Sequence, residues 1–336
     1  MQRISRIARA GLMVSAAAVS VSGMAYAQGD LPVVRMQGVA GSISSLPMLI
    51  MEHEGLDEQH GFDGQFDLMG MSGGFQSFLV GNFDVSLDED MIGVAAARIQ
   101  GFDVSIFYGN AALYLGIVVP GDSDAQSPED LVGERVGHFG MDSGTTTYIR
   151  LILEDLYGID VATDYDLQQV GPAALVPLLG SGDVEAIFNF EPLVSAAIVE
   201  TGGRYLLQGT EAYRSQYDGF SPWLSTYTAR VEWMQENPDL ALAVRDALRE
   251  ATLMIIESDY EILREPYLRE AIGVQDDAVL EQVIENGRTH GYFTDDFNAE
   301  NIAAANDFLQ RLADQDIMID ERPEGVLVVL EELLAQ

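Results

Sequence analysis

A run of hydroxyl side chains follows a glycine-containing turn near the middle of the chain, where the sequence reads Gly140-Met141-Asp142-Ser143-Gly144-Thr145-Thr146-Thr147. The turn follows a predicted strand and opens a predicted helix. The first N–H groups of a helix have no partner within the helix and lie at the positive end of its dipole. Such groups bind anions without Lys or Arg. We therefore expect the segment from Asp142 to Thr146 to hold an acidic group of a ligand; the alternative is ordinary helix capping by Asp142 or Ser143.

Two segments of the chain repeat each other. Residues 81–101 and residues 182–203 each read as a turn, a short buried strand, polar residues at the carboxyl end of that strand, and an Ala-rich helix. Ligands of open α/β sheets bind at the carboxyl ends of the strands. The repeat therefore predicts two similar lobes that each offer a polar rim to a shared cleft.

The polar residues at the ends of the repeated strands are Asp88, Asp90, Asn189 and Glu191. In a gap-free alignment of the two segments, Asp88 matches Asn189 and Asp90 matches Glu191. Carboxylates only accept hydrogen bonds, so they favour an amine, an amidine or an aminopyrimidine on the ligand. With a helix N-terminus on the other side, they would select a zwitterion. The alternative is that these side chains cap the helices that follow them.

Further candidates lie in loops and near the predicted strand ends. Ser42, Ser44 and Ser45 are expected to face the hydroxyl-rich turn from the other lobe, or else to cap their own helix. Asn110, after the fourth strand, is another polar candidate. Rings that can cover apolar ligand surface or stack on a heterocycle are Tyr108, Phe139, Tyr148, Phe188, Phe190, Trp223 and Tyr227. We expect most of these rings to pack in the core and two or three to line the cleft, with Tyr108, Phe188, Trp223 and Tyr227 as the leading candidates.

Composition excludes several classes of chemistry. The chain has no Cys, which rules out disulfides, thiol nucleophiles and thiolate metal sites. All 17 basic residues are Arg, so a lysine Schiff base is impossible. With 54 acidic residues and a net charge of −37, the chain would be repelled by nucleic acid and by anionic membranes. The four His residues form no metal-binding motif, and neither a metal nor a cofactor is expected.

The first 27 residues are typical of a secretory signal peptide. Three Arg residues precede an apolar stretch from Leu12 to Val21, and Ala25-Tyr26-Ala27 forms a small-residue cleavage site. The apolar stretch is shorter than the roughly 20 residues of a membrane span. We expect cleavage near Ala27 and a periplasmic mature protein, which without Cys also has no site for a lipid tether.

Strands and helices alternate along most of the chain, which predicts an α/β fold with mostly parallel sheets flanked by helices on both faces. From Asn237 onward the pattern is almost entirely helical, with helices expected over 276–287, 298–313 and 323–334. We expect these helices to pack on the first lobe. The predicted lobes are 30–117 with 215–336, and 118–214, joined by a two-strand hinge at 114–119 and 204–210.

The order of motifs resembles a known family. The motifs are the serine-containing first loop, Gly-Met-Ser-Gly-Gly, Gly-Asn-Phe-Asp-Val, the segment from Ser127 to Gly137, and Gly180-Ser181-Gly182-Asp183-Val184-Glu185-Ala186 with Glu191-Pro192. They resemble periplasmic solute-binding proteins of ABC importers for nitrate, sulfonates, taurine and thiamine-pyrimidine precursors. The resemblance covers about residues 31–210 and implies a type II clamshell that closes around one small molecule. It also implies a monomer that delivers the molecule to an inner-membrane ABC permease.

Within this resemblance the ligand class stays open. A small organic anion or zwitterion, such as a sulfonate, taurine or an aromatic carboxylate, leads because of the hydroxyl-rich turn, whose family counterpart commonly holds the ligand's acidic group. A pyrimidine-like heterocycle is the alternative. A sensor that docks on a membrane receptor would share the same sequence features. The pyrimidine synthases related to this family use a lysine-bound cofactor and a cysteine-rich motif; this chain has neither, so we expect no enzyme activity.

Overall fold

The computed structural model describes residues 31–141, 143–315 and 317–335, and within them only the backbone of Met71, Ser72 and Asp88. The predicted signal peptide therefore lies outside the described residues. In the part of the chain that is described, the strands are β1 Val33–Val39, β2 Asp63–Met69, β3 Val85–Glu89, β4 Val104–Ala111, β5 Leu115–Val119, β6 Arg135–His138, β7 Asp166–Gln169, β8 Ala186–Phe190, β9 Arg204–Gln208 and β10 Ser225–Arg230.

Helices fill the segments between these strands and most of the C-terminal part. They are α1 Leu46–Glu54, α2 Leu56–Gln59, α3 Met71–Leu79, α4 Met91–Ile99, α5 Gly144–Tyr157, α6 Val161–Asp164, α7 Pro172–Ser181, α8 Leu193–Thr201, α9 Gly209–Gln216, α10 Val231–Glu236, α11 Pro238–Glu257, α12 Pro266–Ala271, α13 Asp277–His290, α14 Ala299–Asp314 and α15 Leu330–Leu333. Short 3₁₀ turns cover Ile43–Ser45, Pro128–Leu131 and Glu261–Arg264. None of the helices described combines the length and the apolar character that crossing a membrane requires.

The strands form two five-stranded sheets of the same design, in the orders β2-β1-β3-β10-β4 and β7-β6-β8-β5-β9. In each sheet the fourth strand runs antiparallel to both of its neighbours, and the other pairs are parallel. The predicted α/β fold with two mostly parallel sheets is confirmed. The repeated strands β3 and β8 occupy the same central place in their sheets, so the carboxyl ends of the two repeats are equivalent positions.

The chain passes between the two sheets differently from the predicted hinge. Both predicted hinge segments contain strands, β5 and β9, that pair with each other inside the second sheet. The chain leaves the first sheet at 112–114 and returns through 209–224, where α9 begins at Gly209. Its N-cap Gln208 accepts a hydrogen bond from the N–H of Glu211 and so starts a helix where an extended crossing was expected.

The C-terminal helices contact both halves of the fold. α11 packs on α1 and α2 beside the first sheet, as expected, whereas α13 packs on α8 beside the second sheet. Phe308 of α14 stacks on the ring of Tyr148 in α5. The predicted helix over 323–334 is reduced to α15, because Gly325 has a φ of 72° and begins an extended stretch. In that stretch Val328 donates from its N–H to the carbonyl of Ile106 in β4.

Candidate ligand-binding cleft

A cavity of about 510 Å³ lies at the carboxyl ends of the strands of both sheets, where open α/β sheets bind their ligands. We call it the central cavity. Its walls come from the segments after β1, β3, β6 and β8, and from α3, α4 and α5. The residues that line it are Gln37, Val39, Ser42, Phe75, Gln76, Glu89, Asp90, Ile92, Gly93, Ala96, Tyr114, Phe139, Ser143, Gly144, Thr145, Thr147, Phe190, Leu224 and Met318.

The hydroxyl-rich turn opens α5 at the wall of this cavity. Ser143 is the N-cap residue, and its Oγ accepts a 3.2 Å hydrogen bond from the N–H of Thr146. The same hydroxyl donates to the carbonyl of Gly140, which holds the turn against the helix. Among the described residues, no group accepts a hydrogen bond from the N–H of Gly144 or of Thr145. The first turn of α5 thus points free donors and the positive end of a helix dipole at the cavity.

Two buried polar atoms that line the cavity lack partners within the described chain. Gln37 and Thr147 are each only 2 % exposed, yet Gln37 Oε1 and Thr147 Oγ1 make no hydrogen bond. The other amide atom of Gln37, Nε2, donates to Ser86 Oγ in β3 and so fixes the amide. An unpaired buried polar atom costs free energy that a ligand can recover. The cavity therefore presents one open acceptor and one open hydroxyl.

Asp90 projects into the cavity directly after β3. Its Oδ1 caps α4 by accepting hydrogen bonds from the N–H groups of Ile92 at 2.7 Å and Gly93 at 3.1 Å. The hydroxyl of Tyr148, on the other side of the cavity in α5, also donates to Oδ1, at 3.4 Å. Burial raises the pKa of the Asp90 carboxyl, although the helix N–H groups act in the opposite direction.

Charge in the cavity has one sign. Among the described lining residues, the acidic side chains are Glu89 and Asp90, and no Arg, Lys or His is present. A ligand with a positive or N–H-donating group gains from this field, and a ligand with only negative charge is disfavoured by it. On the facing wall, the N-terminus of α5 favours a negatively charged group of the ligand.

Four aromatic rings contribute to the apolar part of the lining: Phe75, Tyr114, Phe139 and Phe190. Phe139 and Phe190 meet edge to face, with ring centroids 5.5 Å apart, at the ends of β6 and β8. Both belong to the set of rings expected near the strand ends. They give the second-sheet wall a surface that can cover a hydrocarbon or heterocyclic part of a ligand.

Of the predicted residues in the first loop and the hydroxyl-rich turn, four line the cavity: Ser42, Ser143, Gly144 and Thr145. The two other serines of the first loop do not. Ser45 Oγ accepts from the N–H of Val39 and donates to its carbonyl, which closes the loop after β1. Ser44 lies within 2.7 Å of Ser42 Oγ and is fully buried, so it supports Ser42 from behind.

Several predicted contacts lie in the core beside the first sheet instead of in the cavity. Asn110 is fully buried and donates to the carbonyl of Ser44 and to Ser225 Oγ. Tyr227 donates to Asn110 Oδ1, which leaves this amide no capacity for a ligand. Trp223 packs over Gly109 and donates to Asp296. Tyr108 donates to Asp295 at a separate, smaller cavity near the C-terminus.

The second repeat also uses its polar groups internally. Asn189 donates to the carbonyl of Pro172, and Phe188 is a fully buried core residue. Glu191 is fully buried, and its carboxylate accepts hydrogen bonds from Ser195, Tyr205, Asn286 and Tyr292. Thr146 is buried behind Ser143. Asp142 and the side chain of Asp88 lie outside the described residues.

Some lining residues were not selected from the sequence. Glu89 was not among the candidates, although it stands beside the predicted Asp90 at the end of β3 and lines the cavity with it. Gln37 carries a signal in hindsight: it is a polar residue near the end of an otherwise apolar strand. Phe75, Gln76, Tyr114, Leu224 and Met318 reach the cavity through tertiary packing that no local pattern encodes. No cluster of the described residues could hold a metal ion.

Comparison with known proteins gives one family match: the model of the NMT1-like family matches residues 43–261. No curated protein matches the chain in sequence. Among solved structures, the periplasmic aliphatic sulphonate binding protein SsuA from Escherichia coli superposes with a TM-score of 0.70 at 17 % identity, covering 90 % of this chain and 92 % of that one.

Two further structures share the fold at low identity. The periplasmic nitrate-binding protein NrtA from Synechocystis PCC 6803 superposes with a TM-score of 0.59 at 16 % identity, over 76 % of this chain and 69 % of that one. The desulfurization enzyme DSZB superposes with a TM-score of 0.62 at 14 % identity, over 90 % of this chain and 99 % of that one. The fold thus occurs both in binding proteins and in an enzyme. The role of this chain therefore has to be argued from the residues of its cavity and not from its fold.

Proposed function

The chain belongs to the NMT1-like family, and we propose that it is an extracytoplasmic solute-binding protein that encloses one small organic molecule in the central cavity. The observation that carries the proposal is the cavity itself. It lies at the carboxyl ends of the strands of two sheets and draws its walls from both. It also presents two buried atoms, Gln37 Oε1 and Thr147 Oγ1, that have no hydrogen-bond partner among the described residues. A ligand that pairs both atoms removes two unpaired buried groups at once.

We further propose that the ligand is a small zwitterion of the amino-sulfonate or amino-carboxylate type. Its acidic group meets the donors at the start of α5, and its amino group meets Asp90 and Glu89. The two halves of such a ligand match the two faces of the cavity. A plain anion such as nitrate matches only one face, and the pair of carboxylates opposes it.

A second candidate is an amino-substituted heterocycle of the pyrimidine type. The rings of Phe139 and Phe190 provide an apolar wall, and Gln37 Oε1 provides an acceptor for a ring amine. Such a ligand uses the carboxylates as acceptors and leaves the donors of α5 for a ring nitrogen. It differs from the zwitterion in needing no acidic group.

In this proposal residues 1–27 direct export and are removed, and the lobes 30–117 with 215–336, and 118–214, close on the solute in the periplasm. The closed monomer then delivers the solute to an ABC permease in the inner membrane. Docking on a membrane receptor instead would use the same cavity. Growth on the solute, with the gene for this chain deleted, separates uptake from sensing.

The test is a thermal-shift screen followed by calorimetry. Sulfonates, amino sulfonates, aromatic carboxylates and aminopyrimidines are added to the exported form of the chain. A ligand at about 100 times its dissociation constant stabilises a protein by about 2.7 kcal/mol, which a melting curve resolves. We expect one-to-one binding and an unchanged ligand in the nuclear magnetic resonance spectrum after prolonged incubation. Conversion of the ligand would instead identify an enzyme, and no stabilisation by any class would contradict the proposal.

A further inference from the structure

We propose that Asp90 sets the charge of the accepted ligand, because its carboxylate occupies part of the anion-binding position at the start of α5 and makes an amino group on the ligand obligatory. This inference rests on the proposed function. According to this inference, Asp90 distinguishes ligands that have the same size and the same acidic group but differ in whether they contain an amine.

The position of Asp90 is fixed by the helix that it caps. Oδ1 accepts from two successive N–H groups at the start of α4, Ile92 and Gly93, so the carboxylate cannot rotate away without uncapping the helix. Loss of such a cap destabilises the helix that it begins. The carboxylate is therefore part of the cavity wall and not a mobile surface group.

The other oxygen of Asp90 reaches across the cavity to α5. A Cβ placed on Gly144 would lie 2.5 Å from Asp90 Oδ2, so the carboxylate lies directly against the first residue of that helix. The hydroxyl of Tyr148, one turn further along α5, donates to Oδ1 at 3.4 Å. One protein carboxylate thus faces the N-termini of two helices, α4 and α5, that come from opposite walls.

Nothing in the described lining neutralises this carboxylate. Glu89 precedes it, and the lining residues that the structure describes include no basic side chain. Burial raises the pKa of Asp90, because removal from water disfavours the charged form of the carboxyl. A ligand ammonium beside Oδ2 would supply the missing positive charge and would make the carboxylate favourable.

Room for the acidic end of the ligand remains beside Asp90. Thr145 and Thr147 follow Gly144 on the same helix and line the cavity, and Thr147 Oγ1 is buried without a partner among the described residues. Ser42 faces the cavity from the first loop. A ligand's acidic group held by these hydroxyl side chains lies near the Asp90 carboxylate. The repulsion between the two negative groups must be offset by an amine of the same ligand. Anions without an amine are thereby excluded.

The test compares ligand pairs that differ only in the amine. Taurine is paired with isethionate, and para-(aminomethyl)benzoate with para-(hydroxymethyl)benzoate. Asp90→Asn keeps an oxygen to cap α4 but removes the charge. In the natural chain we expect the amine-containing ligand of each pair to bind at least about tenfold more tightly than its hydroxyl analogue, as is typical for a charged hydrogen bond. In D90N we expect the preference to vanish or reverse, with the hydroxyl partner binding more tightly than it does to the natural chain.

Matched variants distinguish ligand selection by Asp90 from a purely structural role as a helix cap. Asp276 caps α13 through the N–H of Ala278 and does not line the cavity, so D276N should leave the ratio within each pair unchanged. The inference is overturned if D90N weakens both members of a pair equally, which is the mark of a purely structural cap. It is also overturned if Glu89→Gln, and not D90N, removes the preference. If no member of either pair binds the natural chain, the proposed zwitterion function fails and the inference fails with it.

Discussion

Asp90 and Gly144 stand on opposite walls of the central cavity and are in contact: a Cβ on Gly144 would lie 2.5 Å from Asp90 Oδ2. Gly144 has an ordinary helical backbone at the first position of α5, so glycine is not required there by conformation. The close approach of the Asp90 carboxylate explains why position 144 has a residue without a side chain. This contact joins the wall of the cavity at the end of β3 to the wall formed by the start of α5.

Gly144→Ala should lower affinity for the solute about tenfold, which corresponds to about 1.4 kcal/mol, because the new methyl group displaces Asp90 from its position. Thermal stability should change little, since alanine is the better helix former by up to about 1 kcal/mol and offsets part of the clash. Calorimetry with the screened solute measures the loss. Gly171→Ala is the matched control, because a Cβ there meets no atom within 4 Å. Equal losses in the two variants would contradict the prediction.

Thr147→Val should weaken binding about fivefold or more without destabilising the ligand-free protein. The hydroxyl of Thr147 has no partner among the described residues, so its removal breaks no hydrogen bond in the free chain. Thr294 is the matched control: its buried hydroxyl also has no partner in the described part of the chain, but it does not line the cavity. Denaturant unfolding and calorimetry of T147V and T294V give the comparison. A loss of stability in T147V, or unchanged affinity, would show that its hydroxyl does not face the solute.

Asn110→Ala should act on stability and not on binding. The amide side chain joins the carbonyl of Ser44, Ser225 Oγ and the Tyr227 hydroxyl in the core, and its loss leaves these groups unpaired. We expect a decrease of about 2–4 kcal/mol in the free energy of unfolding. Asn82→Ala, which removes an exposed hydrogen bond to Ser77, should cost no more than about 0.5 kcal/mol. Affinity measured well below the melting temperature should stay within about twofold of the natural chain.

His138 should make stability depend on pH. Its Nδ1 accepts a hydrogen bond from the N–H of Gly140 at the start of the hydroxyl-rich turn, and burial lowers the pKa of the imidazole. Since the folded state then binds protons less readily than the unfolded state, stability is lost as the pH falls below about 6.5. His138→Asn keeps an acceptor near the Nδ1 position but does not titrate.

The measurement is the free energy of unfolding of both proteins between about pH 7 and about pH 5, where most carboxylates remain ionised. The natural chain should lose stability relative to H138N on acidification, by at most about 1.4 kcal/mol per pH unit. Parallel curves for the two proteins would show that the imidazole stays uncharged in both states or is charged in both.

Much of the fold is encoded in local patterns of the sequence. The repeat around Asp90 and Glu191 indicates the equivalence of β3 and β8, and the order of motifs indicates the family, which is confirmed by the match to the NMT1-like family and by the fold shared with sulphonate- and nitrate-binding proteins. The signal peptide and the limits of the two lobes remain predictions. The contacts of α13 and α14 with the second sheet's helices could not be read from helical periodicity, which shows that a face is apolar but not which partner covers it.

The site was predicted only in part, for the same reason. The start of α5 carries a local capping pattern, and Ser143, Gly144 and Thr145 do line the cavity. Local pattern does not distinguish Asp90, which faces the cavity, from its counterpart Glu191, which is buried by four protein partners. The difference arises from Asn286 and Tyr292, which come from the far C-terminal part of the chain.

The central claim, that one solute is held between the carboxyl ends of the two sheets, is tested most directly by hydrogen exchange. Backbone amide exchange is followed by mass spectrometry with and without the strongest ligand of the thermal-shift screen. We predict protection at the start of α4 and at the start of α5 together, with both signals saturating at one ligand per chain. Protection at only one of these helices, or at the smaller cavity around Arg245 and Asp295 instead, would contradict the account.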